Sequence, residues 1–128
     1  MKRLLIIFSM TIVALIANAK APQIHVEKFF DGRYNKEKSV RTSVSKENGR
    51  YYRVLHVANN QAIVEEIYKT LTKDAETATK FFEQTGEGGK STVVKFINND
   101  ETINIGFQQD PTGTSASLFI NGSEKAFK

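Results

Sequence analysis

Six residues, Gly86-Glu87-Gly88-Gly89-Lys90-Ser91, carry the residue types that bind phosphate: glycines that let backbone N–H groups approach an anion, a lysine cation and a hydroxyl. A nucleotide-binding loop has the spacing G-x-x-x-x-G-K-S/T and leads from a strand into a helix, whose free N–H groups and dipole hold the phosphates. Counting back from Gly89 puts Gln84 at the first required glycine. The residues before the loop have a helical pattern and those after it a strand pattern, so the glycines meet the negative end of a helix. The spacing therefore predicts a helix stop, with Gly86 left-handed and Gly88-Gly89 reversing the chain.

Other reactive residue types are dispersed. His25 and His56 are the only histidines, each alone in a strand-like pattern, without the H-E-x-x-H or His-x-His spacing of a metal site. Acid/base catalysis by two carboxylates needs both in one cleft, and the acidic residues fall on a helix face or in turns such as Asp100-Glu101. No G-x-S-x-G elbow presents a serine nucleophile. No catalytic residue, metal site or cofactor is assigned, and whether the chain is an enzyme stays open.

A binding surface is better supported. Phe29-Phe30 and Tyr51-Tyr52 place neighbouring rings on opposite faces of an extended chain, so one of each pair points away from a single core unless a curled sheet or the tail around Phe127 covers it. Residues 28–53 hold Lys28, Arg33, Lys36, Lys38, Arg41, Lys46, Arg50 and Arg53 against Asp31, Glu37 and Glu47, whereas acidic residues outnumber basic ones from position 54 onward. Arg41, Arg50, Tyr52 and Arg53 are the candidate binding residues, since tyrosine and arginine are enriched at interfaces.

The elements that position them follow from periodicity. Gln23 to Phe30 alternates as a strand and ends at Asp31-Gly32. Asn48-Gly49 joins Ser39–Lys46 to Arg50–Val57 as a hairpin, placing Val44 opposite Arg53, Thr42 opposite Leu55, Val40 opposite Val57 and Arg41 opposite His56. Ile63, Val64, Ile67, Tyr68, Leu71, Ala75, Ala78, Phe81 and Phe82 share one helical face, capped by Asn60. Asp74 lies at the margin of that face and could cap a second helix, dividing the segment into Asn60–Leu71 and Asp74–Gln84. Strands Ser91–Asn98, Thr102–Gln108 and Thr114–Asn121 follow, with turns at Asn99-Asp100 and Asp110-Pro111-Thr112-Gly113; the first turn sets Phe96 opposite Ile103 and Val94 opposite Ile105. The order β-β-β-α-β-β-β predicts an α+β domain, an antiparallel sheet of five to six strands with one long or two short helices on one face.

The amino terminus predicts export. Lys2 and Arg3, the apolar run Leu4–Ile16 and Ala17-Asn18-Ala19 form a secretory signal peptide over residues 1–19, leaving residues 20–128 as a single domain. The run is shorter than the roughly 20 residues of a membrane-crossing helix, so no stable insertion is expected after cleavage. The absence of cysteine excludes disulfides, thiol catalysis and a lipoprotein anchor, and favours a bacterial periplasmic or secreted protein. Asn121-Gly122-Ser123 matches a glycosylation sequon but reads as a turn in such a host. The formal charge of +4, smaller once Lys2 and Arg3 are removed, does not indicate a nucleic-acid binder.

The segments "TKFFEQTGEGGK" and "SLFING", with the signal peptide and absent cysteines, resemble small exported proteins of unknown function from gut-dwelling Gram-negative bacteria. The resemblance implies compartment and fold, and no activity. The expected function is a non-enzymatic binding or structural module of the cell envelope, meeting an envelope protein or an anionic glycan through the basic hairpin. The alternative is a small hydrolase or ligand carrier with a pocket between helix and sheet. An uncovered edge strand, such as the last, would allow pairing with a second copy.

Overall fold

The computed structural model of the protein describes residues 24–98 and 101–123. The segment expected to be a signal peptide, the turn expected at Asn99-Asp100 and the tail around Phe127 lie outside these residues. A short 3₁₀ helix, His25–Phe30, precedes β1 (Val40–Glu47), β2 (Arg50–Val57), α1 (Gln61–Ala75), β3 (Lys80–Gly86), β4 (Gly89–Asn98), β5 (Glu101–Gln109) and β6 (Ala116–Ser123). The strands form one antiparallel sheet in the order β1-β2-β6-β5-β4-β3. This is an α+β fold with one main helix, as the periodicity predicts.

The hairpin registers agree with the turn chemistry. Asn48 and Gly49 both have positive φ, 52° and 79°, as a type I′ turn requires. Val40 pairs with Val57, Arg41 with His56, Thr42 with Leu55 and Val44 with Arg53. Farther along, Phe96 meets Ile103 and Val94 meets Ile105. In the Asp110–Gly113 turn the Asp110 carboxylate accepts the backbone N–H groups of Thr114 and Ser115 and the Thr112 hydroxyl. Burial pulls the Asp110 pKa up, but these bonds outweigh it and hold the carboxyl below its ordinary value.

The core lies on one sheet face. Leu55, Val57, Val94, Phe96, Ile103, Ile105, Phe107, Leu118 and Ile120 point toward α1 and meet Ile63, Val64, Ile67 and Leu71, with Val26 and Phe29 closing one side. Asn60 caps α1 as expected, its Oδ1 accepting the Ile63 N–H at 3.2 Å.

Six expectations are corrected. Residues 25–30 are not a strand: Val26 and Phe29, three apart, are buried together in a 3₁₀ turn. Asp74 determines this. It caps no second helix; it is fully buried in the last turn of α1 and accepts the N–H groups of His25 (2.6 Å) and Val26 (3.0 Å) and the His25 Nδ1 (2.8 Å). These bonds satisfy orphan donors at the start of the 3₁₀ turn, a role normally given to a local cap but here filled from 48–49 residues away.

The helix also stops at Ala75, and Lys80–Gly86 is an edge strand instead of its continuation. The Thr79 N–H donates to Lys95 O at 2.8 Å and the Thr79 hydroxyl accepts the Ile97 N–H at 2.9 Å, so sheet pairing begins where the helix was expected to go on. Consequently the glycines do not cap a helix. Gly86 pairs with Gly89 across a two-residue hairpin, and it is Gly89 that has positive φ, 114°. A Cβ on Gly89 would lie 1.9 Å from Gln109 O, so the position needs glycine for space as well as conformation.

Finally, the last strand is central, between β2 and β5, and the edges are β1 and β3. Asn121-Gly122-Ser123 continues β6 rather than turning, since Arg50 pairs with Ser123. No helix among the described residues is long and apolar enough to cross a membrane.

Candidate functional site

Side chains alternate across a strand, so the register that buries one face defines the other. One outward row runs Ser43, Val54, Phe119, Gly106, Val93 and Phe82 from β1 to β3. From Val54 to Phe82 it is an apolar stripe crossing five of the six strands, about 19 Å at the usual strand spacing, with Ser43 at its β1 end. Phe82 is 58% exposed and Phe119 45%. Gly106 lies between Phe119 and Val93, and a Cβ built there would meet nothing within 4 Å, so the stripe has a notch at its middle.

Polar rows flank the stripe. On one side stand Ser45, Tyr52, Asn121, Asn104, Lys95 and Lys80. On the other stand Arg41, His56, Ser117, Gln108, Ser91 and Gln84. The second row is tied internally: His56 Nδ1 lies 2.8 Å from Ser117 Oγ, and Ser91 Oγ donates to Gln108 Oε1. In the first row, Arg50 Nε and Nη2 grip Asn121 Oδ1 at 3.1 and 2.7 Å. That leaves the Asn121 Nδ2 group to donate elsewhere.

The outward strand positions hold four cations, Arg41, Arg50, Lys80 and Lys95, and one acid, Glu47, which pairs across from Arg50. Three of the four residues predicted from sequence, Arg41, Arg50 and Tyr52, lie on this face. Arg53 lies on the covered face, 18% exposed, with Nη1 donating to Glu27 at 2.5 Å. The residues missed by sequence reasoning are Lys80, Phe82, Val93, Lys95, Gly106 and Phe119. Outward alternation in β4–β6 was the signal for four of these, whereas Lys80 and Phe82 were hidden by their assignment to a helix.

The covered face is held by different chemistry. Glu83 Oε2 accepts the hydroxyls of Tyr68 (2.6 Å) and Thr92 (3.0 Å), with Lys90 Nζ at 4.0 Å. The Tyr68 bond chiefly, aided by Thr92 and Lys90 against a burial effect, holds the Glu83 pKa below its ordinary value. Lys90 Nζ also sits 4.1 Å from the Tyr68 ring centroid. The lysine of the apparent phosphate loop thus latches edge strand to helix. Tyr34 donates to Glu66 at 2.6 Å, and burial together with that carboxylate pushes its phenol well above the ordinary value.

Ile67 and Leu71 fill the space between helix and sheet, and both are fully buried. The hollows lie elsewhere. One of about 190 Å³ lies between the 3₁₀ turn and β1, lined by Phe29, Tyr34, Asn35 and Thr42. Two others, about 270 and 290 Å³, border the Asp110–Gly113 turn and share Gln109 in their walls. No cluster of three or more His, Asp or Glu able to hold a metal ion occurs among the described residues.

A family model matches residues 12–122 of the chain. The chain belongs to a family of unknown function, DUF6108. The match spans every strand of the DUF6108 sheet and α1, ending one residue before the end of β6. No curated protein and no solved structure matches this chain.

Proposed function

We propose that this protein is a non-enzymatic, exported binding module of the bacterial cell envelope that meets its partner through the outward face of the sheet. The observation that carries this reading is the composition of that face: four cations against one acid, and exposed rings at Phe82, Phe119 and Tyr52, with no covering layer among the described residues. Large exposed apolar groups bordered by polar ones mark interaction surfaces. The signal peptide read from residues 1–19 and the resemblance to exported proteins of gut-dwelling Gram-negative bacteria supply the compartment, periplasmic or secreted.

The test is co-sedimentation with an envelope fraction. The Arg41→Glu/Lys80→Glu/Lys95→Glu variant loses sedimentation while keeping the thermal midpoint of the parent. Equal sedimentation of variant and parent contradicts the reading.

A second reading, a carrier of a small polar ligand, is favoured by one atom. Gln109 is among the residues lining the two hollows beside Asp110, and its Nε2 is buried without a hydrogen-bond partner among the described residues. Under that reading a Gln109→Leu variant, with no amide to satisfy, loses a ligand-induced thermal shift that the outward-face variant retains.

A further inference from the structure

We infer that the partner of the outward face is a polysaccharide chain bearing carboxylates, with a sugar ring seated in the notch at Gly106 and an acid group held between Lys80 and Lys95. This rests on the binding reading above and narrows it to one chemical class.

The lysines supply the first argument. Lys80 and Lys95 are direct cross-strand partners on the outward face, and neither makes an ion pair among the described residues. Like charges placed directly opposite repel, and an anion between them removes the repulsion. The free protein therefore carries a small electrostatic penalty that an acidic ligand relieves.

The notch supplies the second. Gly106 leaves a gap one side chain wide between Phe119 and Val93, and nothing lies within 4 Å of where its Cβ would be. A pyranose ring has an apolar C–H face and a hydroxyl rim. Its apolar face stacks on the exposed Phe119 ring while the rim meets Asn104 and Asn121 on the neighbouring row. Arg50 already fixes the Asn121 amide by its oxygen, so the Nδ2 donor is oriented before ligand arrives.

The third argument separates a glycan from a protein. The buried centres of protein interfaces are depleted in serine and lysine. This face presents Ser43, Ser45, Ser91 and Ser117 as well as the two lysines. Hydroxyls and amides spread over an open sheet suit a hydroxyl-rich chain better than a dry protein surface. The stripe runs from Val54 on β2 to Phe82 on the β3 edge, with the hydroxyl of Ser43 at its other end and no end wall among the described residues, which fits a polymer.

Affinity electrophoresis of the purified protein tests this, with polygalacturonate as the probe and dextran as the uncharged control. Polygalacturonate retards the parent and dextran does not. Lys80→Gln/Lys95→Gln and Gly106→Val each weaken retardation by about tenfold or more, with thermal midpoints unchanged. Gly106→Val removes no group and its Cβ meets nothing within 4 Å, so a loss of retardation at an unchanged thermal midpoint reports occlusion of the notch. Equal migration of the parent in the two gels overturns the inference. Envelope treated with periodate or with protease separates this failure from that of the broader reading. Sedimentation lost only after protease identifies a protein partner, so the glycan falls while the binding face stands. Sedimentation unaffected by charge reversal at Arg41, Lys80 and Lys95 removes both.

Discussion

On β6, Leu118 is fully buried beneath α1, whereas Phe119, the next residue, is 45% exposed on the opposite side of the same strand. The same contrast extends across the sheet. Toward the helix, each central strand presents Ile, Leu, Val or Phe, and the one buried carboxylate among the described residues, Asp74, is satisfied by three donors. Away from it, most apolar groups fall in a single row with a glycine at its centre and polar rows on both sides, with Ile97 exposed farther along β4. Burial of apolar area stabilises the fold on the first face. The second face contributes little to stability, and the partner contact proposed above would account for its residue choices.

Substitution of neighbours is the strongest way to break that contrast. Leu118→Ala is expected to cost about 3 kcal/mol, the range for truncating a fully buried leucine. Phe119→Ser is expected to change stability by about 0.5 kcal/mol or less. Urea denaturation of the two variants checks the difference, and comparable losses would mean that the outward face is covered in the folded protein.

Glycines give the next test. Gly89→Ala forces a Cβ against Gln109 O in a conformation that disfavours side chains, and is expected to cost about 2 kcal/mol. Gly106, in open space, should tolerate a side chain without that loss. Thermal midpoints of the two variants measure this.

The smallest effect concerns the latch between α1 and β3. Tyr68→Phe removes the main donor to Glu83 and is expected to cost about 1 kcal/mol at neutral pH. Because the Glu83 pKa is lowered on folding, its contribution is complete above the unfolded value of 4.5 and disappears as pH falls through the lower folded value. Parent and variant therefore converge in stability in acid, which denaturation at pH 7 and pH 3 would show.

Much of the covered face was legible from the sequence, because it is written in local signals. Asn48-Gly49 set the register of β1 and β2, and the turn expected at Asn99-Asp100 set that of β4 and β5. The segments that escaped were decided by distant partners. Asp74 draws residues 25–30 into a 3₁₀ turn, and pairing with β4 draws Lys80–Gly86 into the sheet although Phe81 and Phe82 fit the helical period. The error at Phe82 also concealed part of the candidate face. Arg41, Arg50 and Tyr52 could be placed together because they sit on a hairpin whose turn is local, but the outward row is completed only when β6 inserts between β2 and β5 and β3 joins the edge. The apparent phosphate loop is a hairpin between two strands, its lysine turned to Tyr68 and Glu83.

Lysine footprinting tests the central claim most directly. The protein is reductively methylated alone and on envelope membranes, and modification is read for each lysine. Lys80 and Lys95, on the outward face, should be protected by about tenfold or more, while Lys69 and Lys73 on α1 label equally in both conditions. Equal labelling of Lys80 and Lys95 in the two samples, or protection of the helix lysines instead, would contradict the account.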